Sequence, residues 1–360
     1  MKLWTLVTSS PRSAARRAEE AERAGWHGLG VTDSQNLAGD AWVALTAMAR
    51  VTDRLELGTS VTNPVTRHPA VTAAAAQALA VVAGDRVTVG IGRGDSALAH
   101  LGRAPASVAV LERYLQALGR YLRGEPVPFD DLGFSEATAP DVSTLGLADT
   151  PESSRMTWRR DDDPVVTVEV ASTGPKVIGA AARSADRIIF ALGADIDRLA
   201  WGIDVARTAR RDAGLDPDGV EFGAYLNMVP HTDVDVAREL IAGSLTTFAR
   251  FSVMHGSVQG PADDAQREVF EGVYSSYDMK HHTRTGSSQT KGLTPEFIDR
   301  FGIVGTADTC VGRLQELEAL GIAKGIIIGP SPGSDRTQAH EAIALTWEGV
   351  LPAFAQEAHT

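Results

Sequence analysis

The sequence predicts a single domain, residues 1–360, folded as a closed parallel (β/α)8 barrel, and three observations carry that expectation. Short β-rich runs alternate with alanine-rich helical stretches, the rhythm of parallel strands joined by helical crossovers. Eight strands can be drawn, at 2–7, 28–32, 54–61, 86–91, 166–171, 186–190, 220–228 and 325–329. The chain has 360 residues, 43% of them apolar, a size normal for a barrel with insertions and sufficient for a large core without metals or disulfides.

Helical patterns fill 11–24, 38–50, 68–83, 105–122, 174–183, 196–213, 233–251, 306–320 and 335–354. Ser10 before Pro11, and Gly174 before Pro175, mark helix starts, because proline suits the first helical position. The run from Val220 to Leu226 mixes small and large residues, as a barrel interior requires. Two segments break the rhythm. Residues 124–164, after the fourth strand, hold five prolines and many acids; residues 255–300, after the seventh helical segment, hold Tyr274, Tyr277, His281 and His282. Loops of this length commonly serve binding, so both are expected on the catalytic rim.

Composition excludes several function classes. A net charge of −12 argues against nucleic-acid binding, which calls for basic surfaces. The single Cys310 cannot form an internal disulfide and fits a reducing compartment. The run from Met1 to Val7 is too short for a secretion signal, and nothing approaches the roughly 20 apolar residues of a membrane span. A cytoplasmic protein acting on a small molecule is expected, with no membrane or metal involved.

Chemistry concentrates at strand ends. The stretch Gly58 to Pro69 runs from a strand into a polar, proline-punctuated turn and then a helix. At the C-terminal ends of barrel strands such residues read as site. Val89 to Ala97 repeats the arrangement: Gly90, Gly92 and Gly94 let backbone approach a ligand, and successive N–H groups can form an anion-binding concavity. Arg93, Asp95 and Ser96 flank it. The spacing is neither a dinucleotide fingerprint nor a nucleotide-hydrolase phosphate loop, and a plain turn with a solvated arginine fits equally. Ser172, Thr173, Gly174, Pro175 and Lys176 place two hydroxyls and an ammonium at a helix start, which suits an anion as well as an ordinary capped helix. The two motifs follow consecutive strands, so they are expected to share one phosphate.

Asp33 ends the second strand, either as a helix cap or as a contact to a bound cofactor. His281 and His282 titrate near neutrality and are the candidate catalytic residues, against the alternative of a solvated loop. Tyr274 and Tyr277 are further proton carriers. Arg155, Arg159 and Arg160 could meet an anionic tail or simply lie exposed.

Together these motifs resemble the luciferase-like (bacterial luciferase superfamily) oxidoreductases. Within them the chain is most similar to the F420-dependent methylenetetrahydromethanopterin reductase type. The matching stretches are Gly30 to Asp33, Leu57 to Ala73, Val89 to Gly102, Ser172 to Asp186 and Phe301 to Pro332, spread over almost the full length. The resemblance implies a barrel, usually dimeric, with the cofactor at the C-terminal rim. It also implies a cis peptide at Ser60–Val61 behind the deazaflavin ring. Asp33 and Asn63 would then contact the ring or its side chain, with Gly92 to Ser96 and Ser172 to Lys176 on the phosphate. Two departures stand out. The reductases carry a glutamate in strand 1, where this chain has Trp4, Thr5 and Leu6, an apolar floor that suggests another substrate. A small residue usually follows the Asp of strand 6, where this chain has Asp186 and Arg187. The expected activity is hydride transfer between coenzyme F420 and a small organic substrate. The alternatives are an FMN-dependent monooxygenase on the same barrel and a non-catalytic flavin- or F420-binding protein.

Overall fold

The strands of the chain are β1 (Lys2–Thr8), β2 (Gly28–Thr32), β3 (Glu56–Thr62), β4 (Val87–Ile91), β5 (Thr167–Ser172), β6 (Arg187–Phe190), β7 (Glu221–Pro230), β8 (Ile303–Gly305) and β9 (Ile322–Ile328). This is a computed structural model describing residues 1–254 and 256–355; residue 255, the first of the second expected insertion, and residues 356–360 lie outside the described residues. Strands β1 to β7 pair in sequence order, β7 pairs with β9, and β9 returns to β1, all in parallel. Eight strands thus close a barrel. The extra strand β8 pairs only with the end of β7, at Met228–Pro230, beyond the stretch of β7 that pairs with β9.

Around the barrel stand α1 (Ala14–Ala24), α2 (Ala41–Ala49), α3 (Pro69–Ala83), α4 (Ser96–Ala99), α5 (Val108–Leu122), α6 (Pro175–Ser184), α7 (Ile196–Asp212), α8 (Val234–Phe251), α9 (Asp264–Ser276), α10 (Pro295–Phe301), α11 (Ala307–Ala319) and α12 (Arg336–Leu345). Side-chain oxygens start most of them: Asp40, Ser107, Asp195, Asp233, Thr294, Thr306 and Asp335 each accept from first-turn N–H groups. None of them is long and apolar enough to cross a membrane.

Several boundaries differ from the sequence expectation. The helix expected from 105 begins at Val108, where Ser107 caps it, and the short α4 precedes it. The final strand starts at Ile322, before the expected 325. The last expected helix, 335–354, ends at Leu345 and continues as a π turn (Thr346–Val350) and a 3-10 turn (Leu351–Phe354) holding Pro352. The second insertion is mostly helical, containing α9 and α10. Asp263 and Gln266 form a reciprocal capping box that starts α9.

The barrel interior is filled at its N-terminal end by charge rather than by hydrocarbon alone. Lys324 of β9 reaches across to Glu169 of β5, with Nζ 2.9 and 3.0 Å from the carboxylate oxygens. Arg187 Nη1 lies 3.2 Å from the same carboxylate and also binds Glu221. The Trp4 indole covers the ammonium, 3.1 Å from Nζ to the ring centroid, a cation–π contact. Gly28 makes room for that indole, since a Cβ there would sit 2.2 Å from the ring. The unusual Asp186–Arg187 pair finds its explanation here. Asp186 accepts from the Val168 N–H at 2.8 Å while Arg187 completes the buried network.

Removing one member of such a pair strands a buried charge, whereas removing both partners does not. Lys324→Met is expected to lower stability by about 3–5 kcal/mol. Adding Glu169→Leu should restore most of that loss, as read from urea midpoints of the two variants.

Candidate functional site

Because every barrel strand runs in the same direction, their C-terminal ends meet on one face. There they surround a cavity of about 1220 Å³. Thr5 to Thr8 of β1 line it, while Trp4 lies just beneath, so the expected apolar floor is supplied by Leu6 and not by Trp4. Asp33, Ser60, Val61, Asn63 and Tyr225 contribute from strand ends, and Phe248 and Phe251 from α8. The loop after α9 adds Met279, Lys280, His282 and Thr283.

Strand β3 is irregular at this rim. The Ser60–Val61 peptide is cis, as the resemblance implies, and the β3–β4 register slips between Thr59 and Thr62. The bulge is clamped by β4: Thr59 Oγ1 donates to the Gly90 carbonyl at 2.8 Å, and Gly92 N–H to the Thr62 carbonyl at 2.9 Å. A Cβ on Gly90 would lie 2.2 Å from the Thr59 oxygen, and one on Gly92 2.7 Å from Val61 Cγ2. These two glycines therefore let the bulge seat against β4. Beside it, Ser60 Oγ and Tyr225 OH share a hydrogen bond of 2.8 Å, and burial pushes the Tyr225 phenol pKa up.

The β4 and β5 corners face the same cavity. Gly92, Arg93, Gly94, Asp95 and Ser96 line it from one side; Thr173, Gly174, Pro175 and Lys176 line it from the other. Gly94 sits at φ 78°, a conformation open to glycine at little cost. Arg93 Nε donates to the Ala106 carbonyl at 2.5 Å, which anchors its side chain at the rim. Gly174 is the N-cap of α6 and Pro175 its first residue; Val177 and Ile178 N–H return to the Gly174 carbonyl, which leaves the Lys176 N–H and the helix dipole beside an exposed Lys176 side chain.

Other expected residues are placed differently. Ser172 lies in the wall, 2% exposed, its hydroxyl donating back to the Val170 carbonyl at 3.3 Å. Asn63 lines the cavity, but its amide is engaged within its own turn: Oδ1 accepts from Val65 and Thr66 N–H, and Nδ2 donates to Thr66 Oγ1. Asp33 does not cap α2, a role taken by Asp40; it lies 3.5 Å from Arg67 Nε. His281 is exposed and 2.5 Å from Asp278, away from the cavity. Residues 124–164 supply nothing to the cavity lining. That insertion packs along α3 and α5, where Phe134 stacks on His68 at 4.5 Å and Tyr121 donates to Ser154 Oγ. Arg155 and Arg160 are exposed within it.

A group of residues that the sequence does not place together closes the far side. Arg250 of α8 pairs with Asp95, and its guanidinium lies over the Tyr277 ring at 4.6 Å. Tyr277 OH is 2.6 Å from His282 Nδ1 and 3.2 Å from Thr247 Oγ1. Burial raises the Asp95 pKa, with Arg250 opposing. Burial also lowers the His282 pKa to about 4, helped by Arg250 and His100. At neutral pH that imidazole is uncharged. Among the described residues no group of three or more His, Cys, Asp or Glu could hold a metal ion.

The sequence matches the family model described as luciferase-like monooxygenase over residues 3–324. A 5,10-methylenetetrahydromethanopterin reductase of Methanolobus tindarius is 26% identical over 91% of this chain and 93% of its own. Among solved structures, the coenzyme F420-dependent tetrahydromethanopterin reductase of Methanopyrus kandleri superposes with a TM-score of 0.70 at 18% identity, covering 98% of this chain and 99% of that one. An F420-dependent secondary alcohol dehydrogenase in complex with an F420-acetone adduct gives 0.68 at 18%, over 99% of both chains.

The tight seating of β3 on β4 is directly testable. Gly90→Ala is expected to cost about 1–3 kcal/mol, the range for overpacking, and to weaken ligand binding in the cavity. Thermal unfolding and a binding titration on the same preparation would read both effects.

Proposed function

This chain belongs to the luciferase-like monooxygenase family, and from that footing we propose that it is a coenzyme F420-dependent oxidoreductase. It would exchange a hydride with a small organic substrate. The observation that supports this reading best is a cavity flanked by two anion-suited corners and by the β3 bulge.

The residues present fit such a group. At about 1220 Å³ the cavity has room for a tricyclic ring with its tail, being above the usual range for small-molecule sites. Gly92 and Gly94 are cradle positions: an added Cβ would meet Val61 at 2.7 Å and Asn63 at 3.0 Å. The Gly94–Ser96 turn and the start of α6 would hold the phosphate, with Lys176 adding charge. Val61, on the bulge, would back the ring and leave its other face to the substrate.

A bound deazaflavin supplies the hydride chemistry itself. The protein's part is binding, orientation and exclusion of water. Leu6, Phe248 and Phe251 give the substrate end an apolar wall. The carboxylates lining the cavity, Asp33 and Asp95, lie beside Arg67 and Arg250, and burial raises the Asp95 pKa against the pull of Arg250. Beta-strand 1 adds no acid. The pterin reductase reaction is therefore not the reading we favour for the substrate, and the relatives' shared cofactor chemistry is.

Titration with F420 and with FMN, followed by fluorescence, tests the proposal. Saturable binding of F420 with weaker or no binding of FMN is expected. The reverse preference would favour a flavin monooxygenase, and binding of neither would sink the reading. Lys176→Ala should weaken F420 by roughly fivefold, the equivalent of about 1 kcal/mol for an exposed charge contact.

A further inference from the structure

Within that proposed reading, one side chain lining the cavity has a hydrogen-bonding state that its neighbours fix. Tyr277 OH stands 2.6 Å from His282 Nδ1, a closer and more basic acceptor than Thr247 Oγ1 at 3.2 Å. The Arg250 guanidinium lies over the same phenol, and a guanidinium only donates. The Tyr277 hydrogen is thus directed to Nδ1. Burial raises the Tyr277 pKa, so the phenol keeps that hydrogen. An imidazole that accepts at Nδ1 and is uncharged must carry its own proton on Nε2. Among the described residues Nε2 has no hydrogen-bond partner, and His282 lines the cavity.

We infer that His282 presents its Nε2–H as a fixed, neutral donor to the substrate. The substrate then carries an accepting atom next to the carbon that exchanges hydride, which means a polarised C=O or C=N bond or its reduced form. The donor supports the negative charge that gathers on that atom while hydride from the reduced deazaflavin, which is thereby oxidised by two electrons, adds to the carbon, and a solvent proton completes the reduced product. Tyr277 is a positioning residue that sets the tautomer. The groups that act on the His282 ring favour its neutral form: Arg250 on α8, His100 after α4, and Tyr277 at the end of α9. Of the carboxylates beside this cluster, Asp95 is bound to Arg250 and Asp278 to His281.

The test begins with the full chain without added cofactor. Isotope-labelled histidine would be followed by NMR, with the His282 signals assigned by their loss in His282→Gln. The expected spectrum is the Nε2–H tautomer, unprotonated until the pH falls toward about 4. In Tyr277→Phe a mixture of both tautomers is expected. An Nδ1–H tautomer in the unsubstituted protein, or no change in Tyr277→Phe, overturns the inference.

The second arm uses the protein loaded with reduced F420 and a panel of simple aldehydes, ketones and cyclic imines. His282→Leu should bind F420 as tightly as before yet lose at least tenfold in kcat, with part of the loss recovered in His282→Gln. Full activity in His282→Leu, or no turnover of any compound in the panel, overturns it. Failure to bind F420 or FMN would instead sink the proposed function, leaving the tautomer result to stand by itself.

Discussion

The buried contact between Lys324 and Glu169 sets the depth of everything above it. A barrel of eight strands must fill its own interior, and here the narrow end is filled by an ion pair capped with an indole. Two charges in such a place are tolerated only when each finds its counterpart, and Arg187 supplies the remaining contact to Glu169. Trp4 covers the pair and needs the missing side chain of Gly28 to do so. Above that indole the strand ends are free to diverge into a cavity. Tyr225, Ile189 and Ile326 then continue the interior into the aromatic cluster under α8, α9 and α10.

Much of this was legible in the sequence, for an identifiable reason. The strand-end motifs are local: a glycine turn, a proline at a helix start and the polar run after β3 each state their backbone chemistry within a few residues. Their placement around one cavity follows from strand order alone, because parallel neighbours put their ends side by side. The capping box Asp263 to Gln266 went unread, because the segment around it reads as a loop by composition. The short β8 had no such signal, since three residues carry no alternation to read.

What the sequence did not reveal was side-chain direction and long-range pairing. Ser172 and Thr173 are adjacent, yet only Thr173 lines the cavity, because successive residues of a strand point to opposite sides. The same holds for His281 and His282 on their loop: one binds Asp278 in solvent while the other meets Tyr277. Asn63 sits in the expected place but spends its amide on its own turn. The ion network at the base joins β5, β6 and β9, and nothing in the neighbourhood of Lys324 announces its partner. Arg187, odd against the resembling family, becomes intelligible only once Glu169 is seen beside it.

Arg250 joins two parts of the cavity wall, holding Asp95 of the glycine corner while its guanidinium lies on Tyr277. A single rigid fork that serves two neighbours cannot be retuned for one alone. Reshaping of this cavity would therefore run more easily through a lining residue such as Leu6 of β1 than through Phe248, which packs on Tyr225. Changes near the guanidinium would trade selectivity for grip.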